Sequence, residues 1–265
     1  MSEQYTLITG ASGGIGRELA KVFAENGNHV ILVARNEKRL CEVRDEIQKN
    51  YGVKAKVIAG DLAGGETVDR VYQTVKENGW EVDTLVNNVG FGDHNCFFDT
   101  SWERQKNMLD INISALVYMT WLFGGDMRKR GHGRILNLSS MASLCAGPYM
   151  ALYYASKVFV RSFSEALTEE LAPFHVAVTA LCPGPVSTEF EKNAKLGDSK
   201  MFHVLKVADA KAVAEAGYRG LMRGRAIVYY GFAAKLLNVV SRVFSRRQTR
   251  RVAMRINGVK CEASQ

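Results

Sequence analysis

The sequence predicts an α/β fold, a doubly wound parallel sheet with helices on both faces, in a single domain. Three observations predict it. Short runs of β-branched and apolar residues alternate with longer helical stretches, the pattern of strands joined by helical crossovers. The runs are apolar throughout rather than alternating, as strands covered on both faces are. A glycine cluster separates the first strand from the first helix, and ligands bind at the carboxyl ends of such strands.

Residues 5–9 read as the first strand and 15–26 as the helix that follows. Residues 30–34 form a β-branched strand, and the charged stretch 36–50 a helix. Further strands are expected over 54–59, 84–87, 135–138 and 176–181, with helices over 66–78, 102–130 and 152–172. The chain has 265 residues, 47% of them hydrophobic and 23% charged, enough for one sizeable core. Residues 1–232 are assigned to the main domain and 233–265 to a basic amphipathic extension, with a substrate-covering segment over 189–207.

The net charge is +8, and Lys235, Arg242, Arg246, Arg247, Arg250, Arg251, Arg255 and Lys260 account for all of it. The main domain is therefore close to neutral. The basic run lacks interleaved aromatics and any recognised module, so nucleic acid is not an expected partner. Five cysteines at wide spacings, without a C-x-x-C pair, point to reduced thiols and a cytoplasmic setting. The histidines are scattered, so no metal is assigned. The start is short and polar, unlike a secretory leader. The apolar stretch 113–123 is too short to span a bilayer.

The first strand runs into Thr9-Gly10-Ala11-Ser12-Gly13-Gly14-Ile15-Gly16. Gly10, Gly14 and Gly16 allow a tight turn, and with Ser12 and Ile15 they bring backbone N–H groups and a helix N-terminus toward a pyrophosphate. The second strand ends at Ala34-Arg35, where an NAD site would carry an acid. A carboxylate there repels a 2′-phosphate and a guanidinium bonds it, so the expected cofactor is NADP(H).

These residues open an ordered series spanning about 230 residues. It resembles that of the classical short-chain dehydrogenases/reductases of the Rossmann type. Within them it looks most like the bacterial carbonyl-reductase-like group with a longer basic C-terminus. The glycine run is similar to T-G-x-x-x-G-x-G. Asp61 and Leu62 stand where the family contacts the adenine. Asn87-Asn88-Val89-Gly90 resembles N-N-A-G, and the resemblance assigns Asn88 and Gly90 to the cofactor. Asn112 stands at the family's catalytic asparagine, Ser139-Ser140 closes a strand, and Tyr153 and Lys157 supply Y-x-x-x-K. Pro183, Gly184, Val186 and Thr188 resemble P-G-x-V-x-T, which touches nicotinamide and phosphate.

The chemistry follows from these types. Hydride transfer to a carbonyl leaves charge on oxygen, so a proton must reach it. Tyr153 is the expected acid, and the base in reverse. An ordinary phenol titrates near ~10, and a cation nearby lowers that. Lys157, at i+4, shares its helical face and is also implied to bond the nicotinamide ribose. Tyr154 is the rival, projecting about 100° away. Ser140 is expected to donate to the developing oxyanion, with Ser139 second because adjacent strand residues face oppositely. Asn112 is expected to hold a proton-relaying water, the alternative being a buried, satisfied amide.

Phe91, Met141, Leu144, Cys145, Pro148 and Met150, with Phe190, Met201, Phe202 and Leu205, surround these residues and favour a hydrophobic ketone, aldehyde or alcohol. The alternatives are 3-oxoacyl thioester reduction and a non-catalytic NADP(H)-binding sensor or scaffold. The resemblance implies a homodimer or homotetramer built through 102–130 and 152–172. In the extension, Leu236, Val239, Val240 and Val243 form a helical stripe. It packs on its own domain or a partner subunit in the favoured reading, and on an anionic membrane in the other.

Overall fold

The computed structural model describes residues 3–187 and 207–258. Thr188 and, except for Val207, the expected substrate-covering segment lie outside the described residues. The core is a seven-stranded parallel sheet in the order β3-β2-β1-β4-β5-β6-β7. Its strands are β1 Gln4–Thr9, β2 His29–Ala34, β3 Ala55–Ala59, β4 Glu81–Asn87, β5 Gly133–Leu138, β6 Val176–Pro183 and β7 Ile227–Tyr230. The helices are α1 Gly14–Glu25, α2 Glu37–Tyr51, α3 Gly65–Glu77, α4 Trp102–Leu109, α5 Leu116–Arg130, α6 Ala151–Leu171, α7 Ala210–Met222, α8 Phe232–Val243 and α9 Arg246–Asn257.

Side chains of each strand divide between two cores, because successive residues face opposite ways. In β2, Val30 and Leu32 join α1, α2 and α7 through Leu19, Leu40 and Val213. Ile31 and Val33 face the other layer, where Val71 of α3 and Phe123 of α5 pack. Each such fully buried side chain contributes about 1.5–3 kcal/mol relative to exposure. Strand order reverses between β1 and β4, so a crevice opens at their carboxyl ends.

Four differences from expectation have physical causes. The helix expected over 102–130 is interrupted by a π-helical turn, Asp110–Ala115, which carries the buried Asn112. Strand β7 and helix α7 were not anticipated. β7 is four residues long and only half buried at the sheet edge, so its pattern is weak. α7 starts at an Asp209 cap, whose side chain accepts from Ala212 N, and buries mostly small residues, Ala214, Gly217 and Gly220 beside Val213 and Leu221. Cys96 is engaged in a disulfide, which corrects the expectation of five reduced thiols, whereas Cys41, Cys145 and Cys182 are free. In the stripe of the extension Val240 is half-buried, whereas Leu236, Val239 and Val243 are exposed, which corrects only the expectation that they pack on their own domain. Among the described residues, no helix is long and apolar enough to cross a membrane.

A buried polar chain ties the second half together. Asn87 Nδ2 donates to Thr120 Oγ1 (3.0 Å) and to Asn137 Oδ1 (2.9 Å). Asn137 Nδ2 donates to Ser164 Oγ at 2.9 Å, and Ser164 Oγ to Val160 O at 2.7 Å. Asn137 is fully buried, so cutting it to Asn137→Ala strands two dry polar partners. Urea unfolding should show a loss of about 2–4 kcal/mol. An unchanged midpoint would contradict the role given to this chain of bonds.

Candidate active site

One cleft of about 620 Å³ collects the carboxyl ends of β1, β2, β4, β5 and β6. Its phosphate end is built from backbone. Gly10 turns at φ +68°, and its N–H donates to Val33 O at 2.8 Å, tying the glycine loop to β2. Gly13 caps α1 without a side-chain hydrogen bond, so the first N–H groups of the helix have no capping side chain. A Cβ on Gly13 would meet nothing within 4 Å, although the residue lines the cleft. Open space therefore faces the positive end of a helix, and the residues fit a pyrophosphate. Ser12, Gly14 and Ile15 line the same end. Gly16 does not. A Cβ there would fall 2.3 Å from Gly10 O, so Gly16 serves the close packing of helix on loop.

Asn88 locks this loop to β4. Its Nδ2 donates to Thr9 O at 2.9 Å, and its backbone N–H to Thr9 Oγ1 at 2.9 Å. Arg35 and Asp61 face each other across the adenine end at 3.7 Å, both well exposed. An exposed pair of this kind is weak, so Arg35 can exchange it for a phosphate. Arg39 also lines the cleft and was not anticipated. Its position one helical turn beyond Arg35 was the available signal.

The chemical end gathers where β5 meets α6. The Ser140 side chain lies close enough to the Tyr153 phenol to favour its ionised form. It also accepts from Ala142 N at 3.1 Å, which caps the short 3-10 turn Met141–Leu144. Lys157, 5% exposed, donates from Nζ to Leu138 O at 2.8 Å and lies 5.8 Å from the Tyr153 ring centre. Ser139 faces away from the reacting groups, its Oγ donating to Lys157 O at 2.8 Å. Tyr154 is engaged elsewhere, its hydroxyl donating to Asn257 Oδ1 at 3.4 Å. Ser139, Ser140, Tyr153 and Tyr154 all line the cleft, and the hydroxyls of Ser139 and Tyr154 are the two engaged with Lys157 O and Asn257. Asn88, Gly90, Asp61, Leu62, Pro183, Gly184 and Val186 all line the cleft as expected.

Asn112 does not line it. Its Nδ2 donates to Phe91 O (2.9 Å) and Ser156 Oγ (3.1 Å), and its Oδ1 accepts from Phe91 N at 3.0 Å. Both amide hydrogens are committed, so what the structure shows is an asparagine that fixes the Phe91 segment. Gly90 sits between it and the lysine. A Cβ there would lie 3.1 Å from Asn112 Oδ1 and 3.3 Å from Lys157 Nζ. Of the apolar residues expected around the site, Phe91, Met141 and Met150 line the cleft, joined by Ile111, whereas Leu144, Cys145 and Pro148 do not. Phe190, Met201, Phe202 and Leu205 lie outside the described residues.

Burial governs the electrostatics. It pushes the Tyr153 phenol up to about 12, against the opposing pull of the Ser140 side chain. It pulls the Lys157 ammonium down to about 8. The expected lowering of Tyr153 by Lys157 is therefore corrected for the protein alone, because desolvation outweighs the one opposing influence, that of Ser140. The phenol holds its proton through neutral pH, as an acid must.

The lysine also links stability to pH. Its ordinary value is 10.5 and its folded value about 8, so between these the unfolded chain binds more protons. Raising the pH through that window favours the fold. Lys157→Met abolishes the effect. Urea titrations should show wild type gaining about 2–3 kcal/mol on the variant between about pH 7.5 and pH 10.5. A constant difference would contradict the buried, depressed lysine.

Comparisons with known proteins agree with this geometry. The short chain dehydrogenase family profile matches residues 4–198. An uncharacterized oxidoreductase of Staphylococcus epidermidis is 30% identical over 210 residues, 79% of this chain and 90% of its own. The 17-beta-hydroxysteroid dehydrogenase type 3 of Mus musculus is 37% identical over 196 residues, 71% of this chain and 62% of its own. The structure of a short-chain dehydrogenase from Sphingobium yanoikuyae in complex with NADPH superposes with a TM-score of 0.81 at 26% identity, covering 93% of this chain and 94% of that one. With its parallel sheet, glycine cradle and Ser-Tyr-Lys cluster in one cleft, the chain belongs to the short-chain dehydrogenase family, as an oxidoreductase acting on CH–OH groups.

Proposed function

We propose that the chain interconverts a ketone or aldehyde with the corresponding alcohol on a hydrophobic small molecule, using NADP(H). The observation that carries this reading is the convergence of Ser140, Tyr153 and Lys157 in the cleft that also holds the phosphate cradle.

The glycine loop with Ser12 and Ile15 would hold the pyrophosphate, Arg35 and Arg39 the 2′-phosphate, and Asp61 with Leu62 the adenine. Asn88, Gly90, Pro183, Gly184 and Val186 would flank the nicotinamide half, with Thr188 just beyond. Bound NADPH supplies the hydride. The protein supplies the rest. Phe91, Ile111, Met141 and Met150 give the substrate an apolar wall and exclude water. Ser140 donates a hydrogen bond to the oxygen on which charge develops. Tyr153, protonated because it is buried, delivers its proton to that oxygen. Lys157 then lies beside the phenolate it leaves, and an ammonium there lowers the cost of that charge. In oxidation the proton moves the other way. A lipophilic substrate accords with the apolar wall and with the name of the mouse relative, a hydroxysteroid dehydrogenase.

A homodimer or homotetramer through α5 and α6 is part of the same reading. Trp121 and Phe159 stand exposed on these helices at 71% and 38%, apolar surface that a partner subunit would cover.

Two measurements test the proposal. Tyr153→Phe should reduce ketone turnover by about 10³-fold, the scale of lost acid catalysis, with NADPH affinity little changed by fluorescence titration. Full turnover would rule out the assigned acid. Arg35→Ala with Arg39→Ala should weaken NADPH binding by about 10–100-fold, the scale of lost charge-assisted bonds, and leave NADH binding nearly as it was. Equal losses for both nucleotides would remove the 2′-phosphate reading.

A further inference from the structure

We infer that the outer face of α8, with the cationic surface of α9 beside it, docks onto an anionic lipid bilayer. Phe232, Leu236, Val239 and Val243 repeat at i, i+4, i+7 and i+11, so they share one helical face. Their exposures are 80%, 49%, 59% and 76%, and Phe244 continues the surface at 51%. Ala234, on the opposite side of the helix, is fully buried. The helix has therefore turned Ala234 inward and four large apolar residues toward solvent, with Leu237 and Val240 half-buried between them. A contiguous exposed apolar stripe marks a contact site.

The outward orientation is fixed by the packing of the extension at both ends. Near its start, Ala233 Cβ lies 4.0 Å from where a Cβ on Gly184 would be. Helix α8 packs on the turn Met141–Leu144 that follows Ser140. At its far end α9 buries Thr249, Ala253 and Asn257 on one face. Asn257 Nδ2 donates to Pro148 O at 2.8 Å, and its carbonyl accepts from His94 Nε2 at 2.8 Å. With the Tyr154 hydroxyl on its Oδ1, this fully buried asparagine pins the extension to the wall of the cleft.

Charge selects the occupant. Lys235, Arg242, Arg246, Arg247, Arg250, Arg251 and Arg255 are all exposed, and no acid occurs between Gly231 and Gly258. A two-fold contact between copies would set this cationic surface against itself. Nucleic acid would neutralise the arginines but leave the apolar stripe in water. An anionic bilayer accepts both, the stripe among the upper acyl chains and the cations among the headgroups. At 12 residues α8 lies in the interface and does not span it. Because α8 packs on the turn that begins at Met141, which lines the cleft, docking would bring the site near the bilayer where lipophilic alcohols and ketones partition. That last consequence rests on the proposed function, whereas the docking does not.

The test is co-sedimentation of the full chain, with NADPH present, on phosphatidylcholine vesicles with and without about 30% phosphatidylglycerol, at about 0.1 M salt. We expect at least about tenfold stronger binding to the anionic vesicles, weakening as salt rises. The double variant Val239→Glu, Val243→Glu should lose at least about tenfold of that binding while melting temperature and NADPH affinity stay unchanged. Failure of the wild type to sediment with anionic vesicles overturns the inference. So does wild-type binding by the double variant, since adhesion would then be plain charge attraction. A drop in molecular mass of the double variant by light scattering also overturns it, because a second copy would then cover the face. These readouts are independent of turnover, so a failed docking test and a failed redox assignment are distinguishable.

Discussion

The close approach of the Ser140 side chain to the Tyr153 phenol is the contact on which the rest of the site depends. It exists only because the end of β5 and the first turn of α6 are held at a fixed distance. Four successive residues of β5 and its continuation reach α6. Asn137 bonds Ser164, Leu138 O takes the Lys157 ammonium, Ser139 bonds Lys157 O, and Ser140 comes up against Tyr153. The catalytic contact is the last rung of a ladder whose other rungs are structural. Parallel pairing of β5 with β4 and β6 then places that ladder opposite the glycine loop, which Asn88 ties to β4.

Burial sets the chemical character of this arrangement. An exposed phenol and ammonium would titrate near their ordinary values and exchange protons with water. Inside the cleft, desolvation moves each toward its neutral form, the phenol upward and the ammonium downward. The protein accepts a cost in stability for the lysine and gains a proton donor that stays loaded. The buried amide of Asn112 and the Cβ-free Gly90 keep the Phe91 segment close to that lysine without a clash. A bulkier residue at position 90 would press on both groups at once.

Much of this was legible in the sequence, because the decisive signals are local. A glycine run after an apolar strand, an arginine at the end of the second strand, and a tyrosine one helical turn before a lysine each carry their physics within a few residues. The features that escaped depend on residues far apart in the chain. For Asn112 the sequence left a water holder and a buried, satisfied amide both open, because its partners Phe91 and Ser156 are brought near only by the fold. Tyr154 could not be set aside from spacing alone, because Asn257, its partner, lies 103 positions away. Gly16 was read as a cofactor contact, whereas its neighbour is the loop itself. The disulfide at Cys96 left no spacing pattern to read. Strand β7 was too short, and its neighbours too polar, to stand out.

The account turns on which hydroxyls reach the reacting oxygen, and single-turnover hydride transfer with saturating NADPH measures this most directly. Ser140→Ala and Tyr154→Phe remove one hydroxyl each from residues that line the same cleft. The account predicts a rate about 10²–10³-fold lower for Ser140→Ala, the scale of one lost oxyanion donor, and a rate within a few-fold of wild type for Tyr154→Phe. The reverse order would contradict it.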